Sequence, residues 1–303
     1  MSQASLPPGV SLLNDDLERQ SFPAGALYVV ATPIGNVADI SLRAIKVLSM
    51  ADAIACEDTR NTSQLMTRLG LSKVLFSAHQ HNEREISAKI VERLKTGERI
   101  ALVSDAGTPG VSDPGARIVD AVQDAGLRVI PVAGPSAVIA ALSASGLTAA
   151  QFRFVGFLPA KAAQREQLLS GLTSSPTTLV FYEAPHRILA TICALLQIFG
   201  PERRIVIGRE LSKLFEQIHR CKLAEAQDWL TADPHRQKGE FVLLIEASAD
   251  DIDEGLSEAR RVLAILLELH TVSQAAALAS RITGVKKNAL YQIALEMKGD
   301  DNA

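Results

Sequence analysis

Ser104-Asp-Ala-Gly-Thr-Pro-Gly-Val-Ser-Asp-Pro-Gly115 is the stretch on which the fold turns. The run 100–103 before it is short and apolar, as a buried strand requires. Residues 116–125 after it space Ile118, Val119 and Val122 at helical intervals. A strand end therefore opens through a long loop into a helix start. In α/β proteins the crevice beyond the carboxyl ends of the strands is where ligands bind. Gly107, Gly110 and Gly115 let backbone come close to a ligand, Pro109 and Pro114 stiffen the loop, and Asp105 and Asp113 add acceptors. The loop is longer than most strand-to-helix links need, which favours binding over a plain connection.

The same pattern recurs on both sides. Residues 27–31 form a strand that runs into Thr32-Pro33-Ile34-Gly35-Asn36, and helical spacing follows over 41–50 with Asp39 or Ser41 as N-cap. The strand 53–56 ends in Glu57-Asp58-Thr59-Arg60, before a helix over 61–69. Strand 74–76, polar loop 79–82 and helix 85–94 come next. Strand 129–132 closes on Ala133-Gly134-Pro135-Ser136-Ala137 and an Ala-rich helix to Ser145. Alternating strands and helices predict a parallel sheet with right-handed crossovers, with the loops 32–36, 57–60, 104–115 and 133–137 opening on one edge.

A second α/β domain follows, with strands at 152–158, 177–182, 204–208 and 241–246 and helices at 164–172, 188–199 and 223–230. The expected division is a flexible tail over 1–25, α/β domains over 26–136 and 137–249, and a helical module over 250–303. An acidic linker (Asp250, Asp251, Asp253, Glu254) leads to helices at 257–270, 273–281 and 286–297. Across 257–298 six Lys or Arg stand against three Glu, and a break at Gly284 suits a helix-turn-helix unit or, equally, a helical packing module.

The chain length of 303 residues suggests about two domains. Aromatics make up only 4%, so the core must be mostly aliphatic. A net charge of -3 gives no general nucleic-acid signature, although a local basic face is compatible with it. Cys56, Cys193 and Cys221 stand far apart, which argues against a zinc site or disulfide framework and predicts a reducing compartment. No secretory signal or spanning segment is read, so a cytoplasmic location is expected. No Gly precedes a Lys, no two Gly sit two apart, and neither His-Glu-x-x-His nor Gly-x-Ser-x-Gly occurs. The common phosphate cradles are excluded, and the expected ligand is flat, polar and not dominated by a pyrophosphate.

The four loops in order, with Asp39-Ile40 after the first and Phe181-Tyr182-Glu183-Ala184-Pro185-His186-Arg187 further on, resemble the tetrapyrrole methylase superfamily. Within it the chain is similar to the branch that methylates the ribose 2′-hydroxyl of a cytidine in the decoding region of 16S rRNA. The match runs over about 26–248, and the terminal helices also look like that branch's tail. The resemblance implies two α/β domains with the ligand cleft between them, S-adenosylmethionine (SAM) as methyl donor, a homodimer, and 16S rRNA or the 30S subunit as partner. Neither a metal, a membrane nor DNA is implied. It also implies SAM contacts at Pro33, Gly35, Asp105, Ala106, Gly107, Val111, Ser112, Ser136, Ala137, Phe181 and Tyr182. Turn amides and Asp oxygens suit the amino-acid end of SAM, and apolar walls such as Val111 and Phe181 suit adenine.

A ribose hydroxyl is a poor nucleophile, so a general base helps its attack. Glu57, Asp58, Glu183 and His186 are the candidates, each with capping or ion pairing as its competing role. Arg60, Arg187, Arg209 and Lys213 are candidates for RNA phosphates. Two other functions share these motifs: C-methylation of a tetrapyrrole, and non-catalytic RNA binding in ribosome assembly. The basic tail and the Glu-Ala-Pro-His-Arg segment favour RNA modification over the first, and intact SAM loops favour it over the second.

Overall fold

The computed structural model describes residues 16–79, 82–248 and 254–300. Most of the expected tail (1–15), two residues of the polar loop (Gln80, His81) and most of the acidic linker (249–253) lie outside the described residues. The chain divides into two compact units. The first runs up to Gly146 and takes in Ile207–His219 and Lys238–Val242; the second comprises Leu147–Val206, Arg220–Gln237 and the chain from Leu243 onward.

The first unit contains strands β1 (Ala26–Val30), β2 (Ala53–Cys56), β3 (Leu75–Ser77), β4 (Arg99–Val103) and β5 (Arg128–Val132). Their order is β3-β2-β4-β1-β5, and every neighbouring pair is parallel. Helices α1 (Leu42–Met50), α2 (Thr59–Arg68), α3 (Glu83–Lys95), α4 (Ala116–Asp124) and α5 (Ala137–Ser145) join or follow them. The strands read as unbroken apolar runs because both faces are covered. Side chains alternate across a strand, so β1 sends Ala26, Tyr28 and Val30 into one core with Val47 and Leu48 of α1 and Met66 of α2. Leu27 enters the opposite core, with Ile90 and Leu94 of α3 and Ile118 and Val122 of α4.

Local chemistry sets where the helices start. Ser41 caps α1 by accepting the Ala44 N–H at 3.1 Å. Asp58 caps α2 by accepting the Arg60 N–H at 2.8 Å. Gly115, at φ +134°, precedes α4, and its N–H donates to the buried Glu83 carboxylate at 2.7 Å. Residues just before β1 are tied down as well: Phe22 packs on the first core, and its carbonyl accepts from Arg99 Nε at 3.1 Å.

The second sheet holds β6 (Phe152–Phe157), β7 (Thr178–Glu183), β8 (Arg204–Arg209), β9 (Gln217–Lys222) and β10 (Phe241–Ile245), in the order β6-β7-β10-β8-β9. β6 and β7 are parallel, with Phe157 opposite Tyr182. Helices α6 (Ala162–Ser170), α7 (Ile188–Phe199) and α8 (Leu223–Thr231) accompany this sheet. The sequence pattern does not signal β9: Gln-Ile-His-Arg-Cys-Lys is an edge strand with exposed residues on alternate positions and no apolar run.

Helices α9 (Glu254–Leu267), α10 (Val272–Thr283) and α11 (Lys287–Asp300) pack on a core of their own, built from Leu263, Leu290 and Ile293 with small alanines such as Ala259, Ala276 and Ala294. Thr271 and Gln274 form a capping box before α10, and Gly284 ends that helix in the left-handed conformation at φ +76°. Among the described residues no helix is long and apolar enough to cross a membrane.

Candidate active site

The loops after β1, β2, β4 and β5 are fastened to one another. Thr32 and Gly107 exchange main-chain hydrogen bonds of 2.8 and 3.0 Å as an isolated antiparallel bridge. The buried Thr32 hydroxyl donates to the Ser104 carbonyl at 3.1 Å. Thr108 Oγ1 donates to the Pro135 carbonyl at 3.1 Å, which joins the 104–115 loop to the 133–136 loop. Asp105 reaches the remaining loop: its Oδ1 accepts the Asp58 N–H at 3.1 Å, and its Oδ2 accepts from Asn61 Nδ2 at 2.7 Å. The structure thus brings Pro33, Gly35, Asp105, Ala106, Gly107 and Ser136 onto one cross-tied platform.

Backbone conformation on this platform is unusual. Ser112 adopts φ +70°, in the left-handed region that L-residues rarely occupy, and Gly107 lies at φ +79°. Gly35 has φ +145°, and a Cβ there would come within 2.4 Å of Lys213 Cγ. The Lys213 stem therefore lies over Gly35 where no side chain would fit. The Ser212 hydroxyl, two residues beyond Glu210, hydrogen-bonds to the Asp39 carboxylate, so the 210–216 loop is fastened to the segment after Asn36. Asp105, Ala106, Val111 and Ser112 are exposed at the surface of the platform, Pro33 and Ser136 half-buried. Ser136 precedes α5 without a side-chain cap bond, and Ala137 is the first helical residue.

Four carboxylates crowd this edge. Burial raises the Glu57 pKa, and Asp113, Asp105 and Asp58 raise it further against a hydrogen bond from the Asp105 main chain. Burial also raises Asp113, with Asp105 adding to the shift and the Ser104 hydroxyl opposing it. Asp58 goes the other way: hydrogen bonds from Arg60 hold it at about 2. A negative, partly desolvated edge of this kind suits a cationic ligand.

The remaining expected residues have other roles. Glu183 is buried and engaged: Oε1 accepts the Ala184 N–H at 2.8 Å, Oε2 accepts the Thr191 hydroxyl at 2.5 Å, and Arg187 Nε lies 3.2 Å away as an ion pair. That arrangement anchors β7 to α7 and leaves little for base catalysis. Phe181 is 0% exposed, so its ring is a core group and offers no wall to adenine. Tyr182 is half-buried, with its ring edge-on to Phe154 and Phe157. His186 is exposed in the short turn Pro185–Arg187.

The four expected phosphate-binding cations are all engaged. Arg209 is buried and donates to the carbonyls of Lys238 and Phe215 and to Gln217 Oε1, which makes it an internal strut. Lys213 bridges Glu210 and Glu240, each at 2.8 Å. Arg187 donates to the Leu158 carbonyl in addition to its ion pair. Arg60 is 85% exposed in its side chain but forks onto Asp58, 2.5 Å away. Sequence reasoning passed over Thr32, Asn61 and Glu83. Thr32 and Asn61 were visible as polar residues inside or beside the loops, whereas nothing in the sequence signals that Glu83 caps a helix thirty-two positions on.

Comparison with known proteins gives the family. Residues 26–227 match the family Tetrapyrrole (Corrin/Porphyrin) Methylases, and residues 253–298 match the RsmI C-terminal HTH domain. Ribosomal RNA small subunit methyltransferase I of Pseudomonas aeruginosa is 50% identical over 278 residues, covering 91% of this chain and 99% of its own. The protein of that name from Escherichia coli O157:H7 is 45% identical, covering 91% and 96%. Among solved structures, the methyltransferase CobJ superposes with a TM-score of 0.56 at 20% identity, over 75% of this chain and 95% of that one. Cobalt precorrin-4 methyltransferase CbiF superposes at 0.53 with 16% identity, over 74% and 98%. These two likenesses concern the fold alone. On sequence, over nearly its whole length, the chain is a member of the ribosomal RNA small subunit methyltransferase I family, built on the tetrapyrrole methylase fold.

Proposed function

We propose that this protein transfers a methyl group from SAM to the ribose 2′-hydroxyl of a cytidine in the decoding region of 16S rRNA, free or within the 30S subunit, and that it works in the cytoplasm as a homodimer. The observation that carries the reading is the occurrence, in one chain, of the cross-tied acidic platform, which lies within the span 26–227 that matches one family model, and of the terminal module at 253–298 that matches the other. The homodimer rests on the family resemblance.

The platform residues fit SAM. Asp105 and the exposed main chain at Ala106 offer acceptors to an ammonium group. The uncapped first turn of α5, at Ser136 and Ala137, offers N–H groups to a carboxylate. The exposed Val111 beside Ser112 gives an apolar surface for a purine, and the stem of Lys213 covers Gly35 beside it. When bound, SAM supplies an electrophilic methyl on a sulfonium centre. The negative edge formed by Glu57, Asp58, Asp105 and Asp113 favours that positive charge, and fixed orientation supplies much of the rate in such a transfer.

Among the four candidate bases Glu57 is the one we assign. Glu183 is consumed by structural bonds, and Asp58 at about 2 is too weak a base. Glu57 is partly desolvated with its pKa raised, which makes its carboxylate a better proton acceptor. With SAM held on the platform, Glu57 would take the hydroxyl proton as the ribose oxygen gains the methyl carbon, the methyl–sulfur bond breaks and the sulfonium leaves as a neutral thioether. The test is expression in a bacterium that lacks its own copy of this enzyme. Nuclease digestion and mass spectrometry of its 16S rRNA are expected to reveal a restored 2′-O-methylcytidine; an unmodified cytidine with the protein present and folded would overturn the assignment.

A further inference from the structure

The expected phosphate ligands are occupied within the protein, yet the second unit has an unassigned group of cationic and aromatic side chains at the carboxyl ends of β6 and β7. Phe157, the last residue of β6, is 57% exposed although it is a large apolar side chain. It pairs in register with Tyr182 of β7, and their rings meet edge-on at 5.5 Å. β6 is an edge strand, so this pair closes the sheet on that side.

The loop leaving Phe157 leads to Lys161, which precedes α6, and Arg165 follows one turn on, its N–H bonded to the Lys161 carbonyl at 3.0 Å. Arg165 is 7% exposed, and its Nε has no hydrogen-bond partner. Arg43, Arg187 and Arg236 also have an orphan Nε, but each pairs through another guanidinium nitrogen. Among the described residues the Arg165 guanidinium has no hydrogen bond and no ion pair. Its Nε is sealed from water without an acceptor, which is costly, and an anion bound at the guanidinium would supply one. The Leu158 carbonyl, between Phe157 and Lys161, accepts from Arg187, so the turn Pro185–Arg187 lies against the same loop with His186 exposed on it. Of the acids near this corner, Glu183 is already neutralised by Arg187, and Glu166, the residue after Arg165, is exposed.

We propose that this corner of the second unit binds the RNA substrate at one nucleotide: a base stacks on Phe157, backed by Tyr182, and the adjoining phosphate is held by Arg165 and Lys161. An exposed ring with cations on the loop and helix that follow it is the combination that single-stranded or splayed-out RNA recognition uses, because every base has a π-face and every linkage a charge. The proposal rests on the reading of this protein as an rRNA methyltransferase and extends it to a docking site for one nucleotide.

The test uses the full-length protein, 30S subunits and a 16S rRNA fragment spanning the decoding region, with SAM affinity and melting temperature measured beside RNA binding. Phe157→Ala is expected to weaken RNA binding about tenfold, as loss of one stacked base does, and Phe157→Tyr to retain it. Lys161→Gln is expected to lower the slope of log affinity against log salt by roughly 0.7, the share of one phosphate on a single strand. Arg165→Met removes the uncompensated charge, so it should weaken RNA binding while the melting temperature holds or rises; a structural arginine would give the opposite. SAM affinity is expected to stay within twofold throughout. Wild-type protein that methylates 30S subunits while all three weakening variants bind RNA as tightly would overturn the docking site alone. Losses confined to 30S, with the naked fragment bound normally, would assign the surface to a ribosomal protein and overturn it too. Wild-type protein that methylates no rRNA would overturn the reading beneath it.

Discussion

Asp105 Oδ2 accepts a 2.7 Å hydrogen bond from the side-chain amide of Asn61, so the loop after β4 is held by the first turn of α2. With Oδ1 engaged by the Asp58 N–H, one carboxylate aligns two of the four loops. Asp105→Ala is predicted to abolish SAM binding in calorimetric titration, and Asn61→Ala to weaken it by roughly ten- to a hundredfold, the worth of one hydrogen bond to a charged group. Near-wild-type affinity in the Asp105 variant would remove the loops from the SAM site.

Glu57 is predicted to trade stability for activity. Its pKa is raised above the ordinary 4.5 by burial and by neighbouring carboxylates, so the native state binds its proton more tightly than the unfolded chain does. Ionisation of Glu57 therefore costs stability above its folded pKa, and that cost disappears as pH falls toward the unfolded value. Glu57→Gln should raise the melting temperature slightly at pH 7 and lower kcat by roughly 10²–10⁴. The wild-type rate should fall with pH on a limb lying above 4.5, and the variant should lack that limb. A variant with full activity would eliminate Glu57 as the base.

Glu83 and Gly115 make the opposite kind of pair, one that serves the fold. The buried carboxylate accepts the N–H that opens α4. Glu83→Ala leaves that donor unsatisfied and is predicted to cost about 1.5–3 kcal/mol in urea unfolding. Gly115→Ala should also destabilise, because φ +134° disfavours a side chain and the added Cβ would meet Leu102 Cδ2 at 3.1 Å. Unchanged unfolding midpoints would contradict the capping role.

Arg209 separates a strut from a phosphate ligand. Its guanidinium is spent on Lys238, Phe215 and Gln217, so Arg209→Ala should lower stability by about 2 kcal/mol or more while the salt slope of RNA binding stays at the wild-type value. A slope lowered without loss of stability would restore Arg209 to the RNA surface.

Much of this was legible in the sequence because the relevant physics is local. Unbroken apolar runs followed by turn-rich loops mark strands of the first sheet, and the structure selects Ser41 from the two caps, Asp39 or Ser41, that the sequence offers for α1. The platform loops are readable because turn-forming Gly and Pro, or a run of polar residues such as Glu57-Asp-Thr-Arg60, follow each strand end. What escaped was non-local. The β9 strand lacks an apolar run because only one edge of it is paired. The fate of charged side chains escaped too: Arg209 and Glu183 look like surface or catalytic groups in sequence, and only their tertiary partners reveal them as struts. Phe181 reads as a ligand wall until the sheet buries it, while its neighbour Tyr182 and the distant Phe157 meet only through strand register.

The most direct test of the whole account is transfer of labelled methyl from SAM into 30S subunits and into naked 16S rRNA by the purified full-length protein, with nuclease mapping of the product. The account predicts label in the decoding region, on the 2′-oxygen of a cytidine, dependent on Glu57 and Asp105. SAM binding with no transfer to either RNA substrate, or label carried on a base in place of a ribose, would contradict it.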